Sequence, residues 1–133
     1  ERDVPLLIYH DRLNRLDRDP QENGVTQYCA DHGIGFISFS PLAQGLLTDR
    51  YLNGIPADSR MAKEQYLKHS ALTPELLERL KTWNAEAAER GETLAEMALA
   101  WILQQKGVTS VLVGASSVAQ LEKNMKCVHA AKL

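Results

Sequence analysis

The sequence predicts an α/β fold with a parallel sheet, and three observations carry that expectation. Short apolar runs without polar alternation lie at residues 4–9, 34–39 and 110–113, as in strands covered on both faces. Segments of helical periodicity lie between and after these runs. Strands that alternate with helices pair in parallel through right-handed crossovers.

The first run is rich in Leu and Ile and is followed by a polar stretch, 11–21, dense in Arg and Asp. Residues 22–32 read as a short helix with Val25, Tyr28 and Cys29 on one side and Gly33 placed to stop it. The second strand, 34–39, should end at Ser40-Pro41, because Pro41 has no N–H for a ladder. Residues 41–72 then form a long irregular connection, a length that usually marks function in a compact domain. Thr73 is a suitable N-cap, and Pro74 stands at the first helical position, where its missing N–H costs nothing. Leu76, Leu80, Trp83 and Ala87 recur at helical spacing until Gly91. Thr93 and Glu96 form a capping box for the next helix, whose apolar face is Leu94, Met97, Ala98, Trp101 and Ile102, with Gly107 closing it. After the third strand and Gly114, a helix over 117–129 is expected, with Val118, Leu121, Met125 and Val128 on its inner side.

Three such strands alone would leave two apolar edges unpaired. A full (β/α)8 barrel takes about 250 residues, and 133 are present. The expectation is therefore one partial domain over residues 1–133, a piece of something larger such as a TIM (β/α)8 barrel, rather than a small three-layer domain.

Apolar residues make up 44% and charged residues 24%, the balance of a globular protein. No apolar run reaches the roughly 18 residues of a membrane span. Residues Glu1 to Pro5 lack the regions of a signal peptide, and the absent initial Met hints at processing or an incomplete chain. A formal net charge of −2 argues against nucleic acid as a partner. Cys29 and Cys127 sit in no metal or redox spacing and read as buried reduced thiols, which fits a cytoplasmic setting.

Ligands of parallel α/β proteins bind at the C-terminal ends of the strands, here after Tyr9, Phe39 and Val113. Gly114-Ala115-Ser116-Ser117 joins a strand to a helix start, where small residues and free N–H groups suit a phosphate. An ordinary cap, Ser117 with Gln120, is the alternative. Phe39 could offer a ring face to a planar group, or belong to the core. Arg50 and Arg60 on the long connection have the donor fork that suits phosphate, or are solvated charges.

The stretch FSPLAQGLLTDRYLNGIPADSR, residues 39–60, resembles the cofactor loop of the aldo-keto reductases, and VLVGASSVAQLEKN, residues 111–124, resembles that family's last strand and adenine-end helix. The likeness extends over nearly the whole chain and is greatest to the branch of bacterial glyceraldehyde 3-phosphate reductases and potassium-channel β subunits. It implies that residues 1–133 are the C-terminal part of a TIM (β/α)8 barrel, with the N-terminal half absent, and that NADP(H) is the cofactor. Phe39 matches the ring stacked on the nicotinamide. Ser40, Pro41, Leu42, Ala43 and Gln44 match the turn along the pyrophosphate, and Arg50 and Arg60 match further cofactor contacts. Gly114, Ser116, Gln120 and Asn124 match contacts to the adenosine end and its 2′-phosphate, and Lys123 matches a position often acidic in channel subunits. Relatives commonly read IHQPxYN where this chain reads Ile8-Tyr9-His10-Asp11-Arg12-Leu13-Asn14. His10 thus replaces the Gln that binds the nicotinamide amide. It can make one such hydrogen bond, but it cannot serve both partners of an amide at once.

The family's catalytic Asp, Tyr, Lys and His match no residue here, and Tyr9, Tyr28, Tyr51 and Tyr66 fall at none of those positions. No catalytic residue is assigned. The resemblance implies NADPH-dependent reduction of a small aldehyde or ketone, with this chain supplying the cofactor grip. A regulatory nucleotide-binding module like the channel subunits and an inactive remnant remain the alternatives, and homo-oligomerisation stays open.

Overall fold

A computed structural model describes residues 5–57, 62 and 69–133 of the chain. Strand β1 (Ile8–Arg12) leads to helices α1 (Asp19–Glu22) and α2 (Val25–Asp31) and then to strand β2 (Gly35–Phe39). Short 3-10 turns follow at Ala43–Gly45, Asp49–Tyr51 and His69–Ala71. Helices α3 (Pro74–Glu89) and α4 (Leu94–Leu103), strand β3 (Ser110–Val111), helix α5 (Val118–Met125) and a last 3-10 turn (Lys126–His129) complete the order. The sheet runs β1-β2-β3, and both pairings are parallel, as expected.

The first strand lies later than the apolar run that predicted it. Pairing starts at Ile8↔Gly35 and runs to Arg12↔Phe39, so the ladder takes in polar Asp11 and Arg12. Leu6, Leu7 and Ile8 are exposed rather than covered on both faces, because nothing described packs on their side. The helix expected over 22–32 is two pieces. Gly24, at φ +86°, bends the backbone into the left-handed region between α1 and α2. Tyr28 is not inward. It is exposed and stacks on His32 with ring centroids 3.9 Å apart. The third strand is shorter than its apolar run because β2 ends at Phe39 and leaves Val113 nothing to pair with. Leu112 N–H, donating to Ser38 O at 2.8 Å, extends the ladder at that end, and Thr109 N–H, donating to Phe36 O at 2.9 Å, extends it at the other.

The largest correction concerns the last helix. Val118, Leu121, Met125 and Val128, expected to face inward, are exposed. The helix instead buries Asn124 and the 3-10 turn buries Cys127, which packs with Leu99 and Ala100 of α4. Periodicity identifies an apolar row on a helix. Which face is covered depends on the neighbours, and here α4 lies on the other side.

The layer of helices holds the core. Leu80 and Ala87 of α3 meet Leu94, Met97 and Ala98 of α4 together with Leu47, with Leu76 and Trp83 at the margin. A second cluster joins Leu13, Cys29, Phe36 and Ile102 and ties the sheet to α2 and α4. The predicted caps form. Thr73 Oγ1 accepts from Leu76 N–H at 3.1 Å, and Thr93 and Glu96 exchange both bonds of a capping box. Gly107 is required by packing as well as by its φ of +88°, since a Cβ there would lie 2.5 Å from Thr26 O.

The two faces of the sheet differ. Phe36 and Ser38 of β2 are buried against the helices, whereas Gly35, Ile37 and Phe39 alternate onto the other face. On β1 the same alternation places Ile8, His10 and Arg12 on that open face. In a closed barrel this face is the interior.

Candidate functional site

The C-terminal ends of β2 and β3 open into one cleft of about 1480 Å³. Phe39, Ser40, Pro41, Leu42, Gln44 and Arg50 form one wall, and Gly114, Ser116 and Gln120 form the other. These nine predicted positions lie far apart in sequence and are brought together only because β2 and β3 are neighbours.

The wall after β2 is an unusual turn. Ser40, Ala43 and Gln44 have φ of +50°, +48° and +59°, and Gly45 follows at +96°. Left-handed backbone costs a non-glycine residue about 1–3 kcal/mol and survives only where the surroundings enforce it. The enforcement is visible. Buried Asn14 donates through Nδ2 to Ser40 O at 2.9 Å, while its Oδ1 accepts from Leu16 N–H at 2.9 Å and Asp17 N–H at 2.8 Å. Ser38 Oγ donates to Leu13 O at 2.6 Å and ties the same two segments together. Beyond the turn, Leu47 N–H donates to Leu42 O at 3.0 Å, and Leu46, Leu47 and Tyr51 are buried. A strained turn beside a cleft, with successive N–H groups in left-handed conformations, is the kind of concavity that holds anions. Arg50 is exposed on the next 3-10 turn, with its N–H donating to the capping Thr48 Oγ1 at 3.2 Å.

The wall after β3 is local in construction. Ser117 Oγ accepts from Gln120 N–H at 3.1 Å, half of the expected capping box. The other half goes elsewhere. Gln120 Oε1 accepts from Ser116 N–H at 2.7 Å and Ser116 Oγ at 2.9 Å rather than from Ser117 N–H. The start of α5, with its partial positive charge, lies at the cleft end of β3, where Ser116 and Gln120 line the wall.

Ala43, Lys123 and Asn124 lie off the cleft walls. Ala43 turns its methyl toward the Leu46–Tyr51 cluster. Lys123 is exposed further along α5, and Asn124 is buried with an Nδ2 that meets no acceptor among the described residues. Arg60 lies outside the described residues. His10 is exposed on the open sheet face, paired with Ile37 in the ladder and on the same face as Phe39.

Asn14 carries the turn, yet the sequence reading gave it no role. Its signal was there: an Asn three residues before an Asp in a polar segment, the pattern of a side chain that satisfies its own following backbone. Leu112, on the cleft wall beside Phe39, was assigned only to the strand. Burial pushes the Cys127 thiol above its ordinary value, in keeping with an inert packing role. No cluster of His, Cys, Asp or Glu among the described residues could hold a metal ion. Among them, no helix is long and apolar enough to cross a membrane.

The model of the aldo/keto reductase family matches residues 1–133. The chain is similar to L-glyceraldehyde 3-phosphate reductase of Escherichia coli O157:H7, at 46% identity over 131 residues, 95% of this chain and 38% of that protein. It is also similar to a probable voltage-gated potassium channel subunit beta of Arabidopsis thaliana, at 37% identity over 128 residues, 94% of this chain and 39% of that protein. The crystal structure of a thermostable aldo-keto reductase superposes with a TM-score of 0.64 at 22% identity, covering 98% of this chain and 37% of that one. The chain thus spans about two fifths of the length of the curated relatives it matches. With a family match along its whole length and three parallel strands that fit part of such a structure, the chain belongs to the aldo/keto reductase family.

Proposed function

We propose that the cleft between the ends of β2 and β3 holds NADP(H), and that the chain is the C-terminal, cofactor-gripping part of a barrel that reduces an aldehyde or ketone. The observation that carries this reading is the convergence of three features on one cleft: an aromatic ring, a left-handed turn and a helix start. Each suits one part of the cofactor. The Phe39 ring is a platform for a flat nicotinamide. The turn from Ser40 to Gly45 and the Arg50 guanidinium suit a pyrophosphate. The start of α5, with Ser116 and Gln120, suits the adenosine phosphate, and Lys123 and Asn124 lie one turn further along the same helix. Arg60 is proposed as a further contact on the resemblance alone. When bound, the cofactor would supply hydride to the carbonyl carbon. This chain's part is to orient the ring and neutralise the phosphates. The proton donor of the family matches none of its residues.

The similarity to L-glyceraldehyde 3-phosphate reductases supports a small aldehyde as substrate. The test is the full-length protein assayed for NADPH binding and for NADPH oxidation with glyceraldehyde 3-phosphate and other short aldehydes. Micromolar binding with turnover is expected. Absence of NADPH binding would overturn the reading. The similarity to channel β subunits favours a second reading, a nucleotide-binding regulatory module. Tight NADPH binding with negligible turnover on any short aldehyde, and recovery in a larger assembly, would select it.

A further inference from the structure

We infer that Arg12 biases the cleft toward the reduced over the oxidised dinucleotide, an inference that rests on the nicotinamide reading of Phe39. Arg12 is the last residue of β1 and is paired directly with Phe39, the last residue of β2. Residues opposite one another in a ladder share a face. The guanidinium carbon stands 6.0 Å from the centroid of the Phe39 ring. Phe39 and Leu112 border the cleft and Arg12 does not, so the cation lies against the ring without lining the ligand space.

The charge at this place is only weakly compensated. The nearest carboxylate oxygen in an ion pair, Asp17 Oδ2, is 4.0 Å from Arg12 Nη1, and the Arg12 side chain is 58% exposed. Such a pair is loose and contributes little. Asp11, next in the chain, is otherwise engaged. Its carboxylate accepts from the Arg12 N–H at 2.7 Å and from the Tyr9 hydroxyl at 3.1 Å. Both carboxylates keep their charge, but it is the Arg12 guanidinium that stands over the Phe39 ring.

The two forms of the cofactor differ there in charge. The reduced nicotinamide ring is neutral, and removal of a hydride leaves a ring bearing one positive charge. A fixed cation behind the stacking ring repels the oxidised form and leaves the reduced form almost untouched. Exposure and screening keep the effect modest, about three- to tenfold in relative affinity. It is a thermodynamic preference that favours loading of the reductant and release of the spent cofactor.

The test uses the full-length protein and equilibrium binding, with NADPH followed by fluorescence and NADP+ by calorimetry. Arg12→Met should narrow the ratio of the NADP+ to the NADPH dissociation constant about three- to tenfold, and Arg12→Lys should retain most of the native ratio. Raising ionic strength should move the native ratio toward the Arg12→Met value. If Arg12→Met proves poorly folded by circular dichroism, Arg12→Gln and the salt titration of the native protein decide the matter. An unchanged ratio in Arg12→Met or Arg12→Gln, with both dinucleotides bound, overturns the role of Arg12 alone. Failure of the native protein to bind either dinucleotide overturns the nicotinamide reading, and this inference with it.

Discussion

The two walls of the cleft are built on different principles. The wall after β2 depends on contacts across the chain. Asn14 reaches Ser40, Ser38 reaches Leu13, and Leu47 is sunk among Leu80, Leu94 and Met97. The wall after β3 depends on bonds within five residues, from Ser116 to Gln120, on exposed ground. A strained turn needs remote anchors, because nothing local prefers the left-handed region at Ser40, Ala43 and Gln44. A helix start needs none, because its side-chain acceptors lie in the same segment. The first wall should therefore be coupled to global stability and the second should not.

That contrast can be broken by substitution, and the largest effect is expected at Leu47. Leu47→Ala removes a fully buried side chain from the α3–α4 cluster and should cost about 3 kcal/mol in urea unfolding. A loss below about 1 kcal/mol would detach the β2 wall from the core. Asn14→Ala leaves Ser40 O without its Asn14 donor and the Leu16 and Asp17 N–H groups without their Oδ1 acceptor, and should cost about 2–3 kcal/mol. It should also weaken NADPH binding through the turn. Native affinity in this variant would show that the turn holds its shape unaided. At the other wall, Ser117→Ala removes one cap bond and should cost only about 1 kcal/mol, with the adenosine end losing more affinity than the nicotinamide end. Equal losses for NADPH and for a nicotinamide mononucleotide would contradict that division. The smallest effect has the opposite sign. Ala43→Gly relieves a residue at φ +48° and should stabilise the fold by up to about 1 kcal/mol, less the entropy that glycine adds to the unfolded chain. Destabilisation by more than 1 kcal/mol would mean that the methyl packing against the Leu46–Tyr51 cluster outweighs the strain.

The same division explains what was legible in advance. Thr73, Thr93 and Ser117 were readable as helix starts because a cap is a relation between residues three apart. Leu80, Ala87, Leu94, Met97 and Ala98 were readable as core because the covered side of α3 and α4 coincides with the apolar one. Reading failed where an apolar surface has no partner among the described residues. Leu6, Leu7 and Ile8 look like a buried strand, and Val118, Leu121, Met125 and Val128 look like an inner helix face, yet all are exposed. Asn14 was passed over because two of its bonds are local and ordinary, while the third, to Ser40, crosses 26 residues.

The sequence by itself determined the alternation of strands and helices, the parallel sheet, the caps and the segments that border the cleft, since periodicity, glycines and capping side chains act over a few residues. Tertiary structure alone decided the register that sets Arg12 beside Phe39, the left-handed turn at Ser40–Gln44 and the covered face of α5. Those features depend on which distant segments meet, and the free energy that enforces them comes from burial and hydrogen bonds between residues that no local pattern links.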